Sequence, residues 1–166
     1  MANGNPHDRS IRVIVKAKEL YESNNPNDEG IMDANTRLVE DGGLESGFGN
    51  SNKNFETTVF LNKKICWSIE LADPNGEDLH YSVSLSKVFH NPTAGNPNFF
   101  NQEELAVNSD TKKVCGTISR SPIISGMDDN YTIEFYVGYS NTTPQGGTQS
   151  GMIKLELDPK LRIKTT

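Results

Sequence analysis

Two runs near the end of the chain alternate apolar and polar residues almost without a slip. Tyr131-Thr132-Ile133-Glu134-Phe135-Tyr136-Val137-Gly138-Tyr139 is the first, and Met152 to Leu157 with Lys160 to Lys164 is the second. A period of two is the mark of a strand with one face on a core and the other in water. The same period appears at the start, where Ile11, Val13, Val15 and Ala17 share a face, and again at Thr57, Val59 and Leu61. Ile65, Trp67, Ile69 and Leu71 then point one way, with Cys66, Ser68 and Glu70 the other. Tyr81, Val83 and Leu85 repeat this against Ser82, Ser84 and Ser86.

Turn chemistry separates these runs. Asn24 to Gly30, Asp41-Gly42-Gly43 and Gly47 to Asn52 carry the Gly, Pro, Asn and Asp that punctuate a chain. Asp73-Pro74-Asn75-Gly76-Glu77-Asp78 has a Pro to preset φ and an Asn-Gly to accept positive φ, so it reads as the turn of a hairpin over 65–89. Glu19 to Ser23 extends the first strand or forms a helical turn, Thr36 to Glu40 reads as a short strand, and Gln102 to Val107 as a short helical turn. Lys113 to Ser119 reads as a strand, while 90–101 and 140–151 read as long loops. With seven or eight strands and little helix, the fold class is all-β: a two-sheet antiparallel sandwich with long polar loops. Residues 1–9 read as a flexible tail and 10–166 as one domain.

Composition agrees. Only 34% of the 166 residues are hydrophobic, and Asn, Ser, Thr, Gly and Pro fill the difference. The formal net charge is −6 and no basic stripe stands out. The densest basic run, Lys154 to Lys164, alternates with apolar residues, as a solvated strand face does. A nucleic-acid partner is not expected. The N-terminal stretch lacks the apolar core of a secretory signal, and no window is apolar for the length of a membrane-crossing helix. The expectation is a cytoplasmic protein without a membrane partner. Cys66 and Cys115 then read as two free thiols, with a disulfide between them as the alternative.

Motifs that carry chemistry are missing: there is no GxSxG, GxxxxGK[ST], HExxH or CxxC. His80 and His90 flank one strand, on the order of 30 Å apart at strand rise, and cannot share a metal within one subunit. Two acidic turns hold oxygen ligands close in sequence. Asp73, Asn75 and Asp78 form one, and Asp128 and Asp129 the other. Ca²⁺ is the cation such ligands would suit, but their spacing is not that of the twelve-residue calcium loop, and hydrated turns are the preferred reading; no cofactor is expected. For a ligand or partner, the candidates are Phe48, Asn50, Phe99, Phe100 and Tyr136. Phe99 and Phe100 stand together in a polar loop, either plugging the end of the sandwich, the preferred reading, or forming an exposed patch. Tyr136 falls on the outer face of its strand, where it could pack against another subunit. Were the chain an enzyme, Asp128, Asp129 and Glu134 would be the carboxylates to test.

Taken in order, the elements resemble the AidA/PixA family of bacterial inclusion-body proteins. Glu19-Leu20-Tyr21-Glu22-Ser23-Asn24-Asn25-Pro26-Asn27 is similar to the family's opening (D/E)-x-Y-x-x-N-x-P-N. Val59 to Trp67 resembles its turn before a Trp, Asn130 to Tyr139 its late aromatic strand, and Gly151 to Lys164 its terminal segment around Asp-Pro. The departure is Leu157, where the family has a second aromatic before Asp-Pro. The resemblance implies a bacterial, cytoplasmic, non-catalytic protein that can accumulate as inclusions, and one branch of the family is linked to sugars. It carries no catalytic residues. The expected function is self-association or partner binding, with a homo-oligomer, a dimer foremost. The alternative is a lectin-like module, Ca²⁺-assisted or not, that holds a glycan through the loops 47–54, 91–101 and 141–150.

Overall fold

The computed structural model describes residues 5–91, 97–119 and 128–164. Among them are ten strands: β1 (Arg9–Val15), β2 (Thr36–Glu40), β3 (Glu56–Phe60), β4 (Lys64–Leu71), β5 (Tyr81–His90), β6 (Glu104–Ala106), β7 (Val114–Thr117), β8 (Asp128–Thr142), β9 (Thr148–Leu157) and β10 (Lys160–Lys164). Two short helices, α1 (Ala17–Glu22) and α2 (Glu29–Asn35), lie between β1 and β2. One sheet has the order β2-β1-β4-β7. The other runs β3-β10-β8-β5-β6, with β9 also paired to β8. The chain is an all-β sandwich of two sheets. The pairing is mixed, however, because β1 runs parallel to β4 and β10 parallel to β3.

The alternating residues meet between the sheets. Ile11, Val13, Ile65 and Trp67 project from one sheet, and Leu85, Ile133, Phe135, Val137 and Leu155 from the other. Trp67 is the largest fully buried side chain. Its ring tilts against Tyr131 at 5.4 Å and meets Phe100 edge-on at 6.1 Å. Its Nε1 donates to the Tyr131 hydroxyl at 3.1 Å, a polar bond that crosses the core. Phe99 and Phe100 are both buried and close that end of the sandwich. A Cβ on Gly116 would lie 2.6 Å from Leu105 and 2.8 Å from Phe100, so only glycine lets β7 approach the plug so closely.

Several expectations change. β4 and β5 do not form a hairpin. Both edges of β4 are taken, by β1 and β7, and β5 sits between β8 and β6 in the opposite sheet. Residues 72–80 instead carry the chain across the core. The Asp78 carboxylate fastens this crossing by accepting from the backbone N–H groups of Lys18 and Asp73 at 2.9 and 3.1 Å. Residues 104–106 form a strand, not a helical turn, and pair with Lys87 to Phe89; only Leu105 of the three is buried, so no period is visible. The stretch 140–151 is not a loop throughout. β8 and β9 continue their ladder to Thr142 and Thr148, and the residues are polar because no second sheet packs over them. The first strand ends at Val15, and Glu19 to Glu22 are helical. α2 is capped by Asp28, whose Oδ1 accepts from the Ile31 N–H at 3.1 Å.

The cysteines also depart from expectation. Cys66 and Cys115 face each other across β4 and β7 and form a disulfide. They lie 49 residues apart, and only the strand register brings them together. Residues 92–96, within the loop expected over 90–101, and residues 120–127 lie outside the described residues.

Candidate interaction surface

β8 organises an exposed surface at one end of the six-stranded sheet. It carries β5 along one edge and β9 along the other, so three strands align in rows. One outward row is Ser82, Gly138 and Met152, and the next is Ser84, Tyr136 and Lys154. Ser82, Ser84, Met152 and Lys154 are exposed. A Cβ on Gly138 would lie 2.6 Å from Ser82 Oγ, so glycine keeps this row low. The result is a groove of about 610 Å³ across the end of the sheet, lined by serines 82, 140 and 150, by His80, Tyr81 and Tyr139, and by Leu79 and Met152. Leu79 and Met152 are 59% and 66% exposed, the two most exposed large apolar residues among those described.

A tyrosine cluster supports the groove from the core side. Tyr81, Tyr139 and Gly151 form an inward row, and Tyr21 from α1 packs over it. The rings of Tyr21, Tyr81 and Tyr139 stand 5.1 to 5.7 Å apart. A Cβ on Gly151 would collide with the Tyr21 hydroxyl, so this glycine admits α1 to the sheet. The Tyr81 hydroxyl donates to Glu22 at 3.1 Å. Burial, reinforced by that carboxylate, pushes its pKa up to about 12, so it remains a donor at neutral pH.

β9 adds an open edge. It pairs with β8 on one side and with no strand on the other among the described residues. β10 continues along the same side of β8 after the Asp158-Pro159 break, and there β3 covers it. The uncovered edge is therefore the part of β9 that carries Met152.

The residues singled out from sequence are scattered, and most are engaged internally. Asp73 accepts from the Glu77 N–H at 3.0 Å, Asp78 is the buried clamp described above, and Asn75 is exposed in the same turn. Asp128 takes a two-pronged bond from Arg162 at 2.8 and 3.2 Å. Asp129 is fully buried, 2.7 Å from His90 Nδ1, and accepts from the Phe99 N–H at 3.1 Å. Its pKa lies above the usual carboxylate range because burial outweighs the Phe99 and His90 hydrogen bonds that favour the charge. Glu134 is buried on the outer face and accepts from Ser86 Oγ at 2.9 Å. Phe48 is flanked by two cations, with Lys16 Nζ 4.4 Å and Arg37 Cζ 5.6 Å from its ring centre. Asn50 lies in a second groove, of about 520 Å³, with Leu44 and Phe55. Tyr136 is half-buried on the outer face, one row from the main groove. Among the described residues, no three His, Cys, Asp or Glu side chains stand together to hold a metal ion.

Tyr81, Tyr139 and Met152 were not singled out as site residues, since each read as an ordinary member of an alternating strand, and Tyr21 fell in a segment read as a strand extension or a helical turn. The available signal was Gly138 and Gly151, two glycines that interrupt strands and mark close approach.

No protein-family model matches the sequence, and no curated protein matches it. Among solved structures, the chain is similar to an inclusion body protein (PixA) from Burkholderia cenocepacia, with a TM-score of 0.62 and 8% identity over 99% of each chain. At that identity the likeness is one of fold. It extends over both sheets and agrees with the resemblance seen in the sequence.

Proposed function

We propose that this chain is a non-catalytic, inclusion-body-type protein that works by self-association in the cytoplasm. The observation that carries the reading is the open edge of β9 beside the exposed Leu79 and Met152. An unpaired strand edge is a template for another strand, and exposed apolar residues grouped on one surface favour contact with a partner. The shared fold with an inclusion body protein supports the same direction. Three of the candidate carboxylates are held by internal bonds: Asp78 fastens a crossover, Asp128 holds Arg162, and Asp129 holds His90 and a backbone amide. Sedimentation velocity over a concentration series is the test. A dimer or larger species is expected, and a strict monomer at the highest concentration overturns the reading.

The groove favours a second reading, glycan binding. Three serines and His80 offer hydrogen-bonding groups for sugar hydroxyls, and Tyr81 and Tyr139 offer ring surface. A glycan array probed with and without Ca²⁺ tests it, and absence of binding in both arms removes it.

A further inference from the structure

We infer that two copies of this chain join through β9, antiparallel and edge to edge, about a two-fold axis at Met152. This rests on the self-association reading and names the surface that performs it.

The occupant follows from the backbone and from the order of side chains. The complement of a strand edge is another strand, because only a strand returns hydrogen bonds to a row of alternating N–H and C=O groups. β9 presents such an edge over Thr148 to Leu155. Past that point the edge turns into a crevice where Asn27, Glu29 and Lys53 face Glu156 to Asp158, too narrow at about 170 Å³ to admit a strand. Pairing is therefore confined to the part of β9 nearer the hairpin turn.

Within that span, β9 fits itself. Its outward residues are Thr148, Ser150, Met152, Lys154 and Glu156. Two copies of one strand meeting antiparallel place residues at equal distances from the axis opposite each other. An axis at Lys154 sets lysine against lysine, and like charges directly opposite are unfavourable. An axis at Ser150 drives the pairing into the turn beyond Thr148. An axis at Met152 sets Met152 against its own copy and Ser150 against Lys154, with residues 149–155 of each chain in the ladder. It removes from water the most exposed large apolar side chain among the described residues. Lys154, which would otherwise guard the edge, then faces a neutral hydroxyl. The two six-stranded sheets become continuous, and Leu79 lies beside the seam on the groove.

The symmetry gives a specific test. Met152→Lys and Met152→Glu each place like charges across the axis, whereas a mixture places opposite charges there. Met152 is exposed, so both variants should fold, which far-UV circular dichroism checks. Sedimentation velocity should show each variant associating on the order of tenfold or more weakly than the wild type. An equimolar mixture should recover association. If the wild type associates and both variants associate equally well, the β9 surface is wrong while self-association stands. If each variant is weakened and the mixture is not restored, the two-fold axis at Met152 is wrong. If the wild type itself is monomeric, self-association fails, and this surface with it.

Discussion

Reduction of the Cys66–Cys115 disulfide should lower the stability of this sandwich by a predictable amount. The bond joins one of the two central pairs of the β4–β7 ladder, and β7 is a four-residue strand at the end of its sheet. That ladder alone is short, yet it holds Val114 in the core and Gly116 against Phe100 and Leu105. The disulfide acts chiefly on the unfolded chain, where it closes a loop. For a separation of 49 residues the loop-entropy relation gives about 4 kcal/mol at 25 °C. A chain of this size shifts its melting temperature by roughly 2–4 °C per kcal/mol, so reduction should lower it by about 8–16 °C.

The assay is a thermal melt followed by circular dichroism, with and without reductant, beside a Cys66→Ser/Cys115→Ser variant. The variant should melt near the reduced wild type and be indifferent to reductant. Thiol titration in denaturant should find no free thiol in the oxidised protein. A reduced wild type melting within about 2 °C of the oxidised form would refute the reasoning, because the unfolded chain would then not be constrained as the model of loop closure requires. The same experiment bears on location. A cytoplasmic protein spends its life in a reducing pool, so the reduced melting temperature is the one that would matter there.

Two further predictions concern buried polar bonds. Tyr131→Phe removes the only hydroxyl that Trp67 Nε1 is bonded to and should cost about 1–3 kcal/mol in urea unfolding, while Trp67→Phe/Tyr131→Phe should cost less than the sum of the single changes. Asp129 tests the pH dependence. Its folded-state pKa is raised above 3.8, so the native state binds the proton more tightly than the unfolded chain does. Asp129 therefore contributes most below its unfolded value, and that contribution is lost as pH rises from there through its raised folded value. Asp129→Asn should remove this slope: the stability of wild type minus variant, from urea midpoints at several acidic pH values, should fall with rising pH across that window and then level. A difference that rises with pH would mean that the His90 interaction dominates burial.

The alternation of Val, Ile, Phe and Tyr was enough to read most residues that face the core, because side-chain direction in a strand follows from position alone; Leu61, read on one face with Val59, is exposed because β3 ends at Phe60, which is buried. It could not say which strands are neighbours. Ile65, Trp67 and Leu85 were assigned inward, and Trp67 and Leu85 are buried from opposite sheets, not side by side in one hairpin. A turn-like Asp-Pro-Asn-Gly serves a crossover as well as a hairpin, and only the inter-sheet distance separates the two. The disulfide was hidden for the same reason, since Cys66 meets Cys115 through a register between strands distant in sequence. α2 was missed because seven residues with one buried side chain, Met32, give too little period to see. Of the surface, Tyr136 and the stretch 141–150, which holds Ser150, were marked beforehand. Tyr21, Tyr81 and Tyr139 come from three elements, and nothing local to any of them announces the others.

The acidic turns illustrate how a pattern of ligand-like residues can be consumed by architecture. Asp78 and Asp129 are the buried members of the two turns, and each ties its turn to a distant segment: Asp78 accepts from the Lys18 N–H and, within its own turn, from the Asp73 N–H, while Asp129 accepts from the Phe99 N–H with His90 beside it. The described strands change sheets five times in sequence, and a carboxyl group that accepts amide protons, two at Asp78 and one at Asp129, anchors a crossing at short range. The price is that these groups are withdrawn from solvent. The groove beside β9 is built instead from hydroxyl and apolar groups, serines 82, 140 and 150 with Leu79 and Met152. On the self-association reading such a surface, beside a strand edge that has no neighbour among the described residues, suits a second strand.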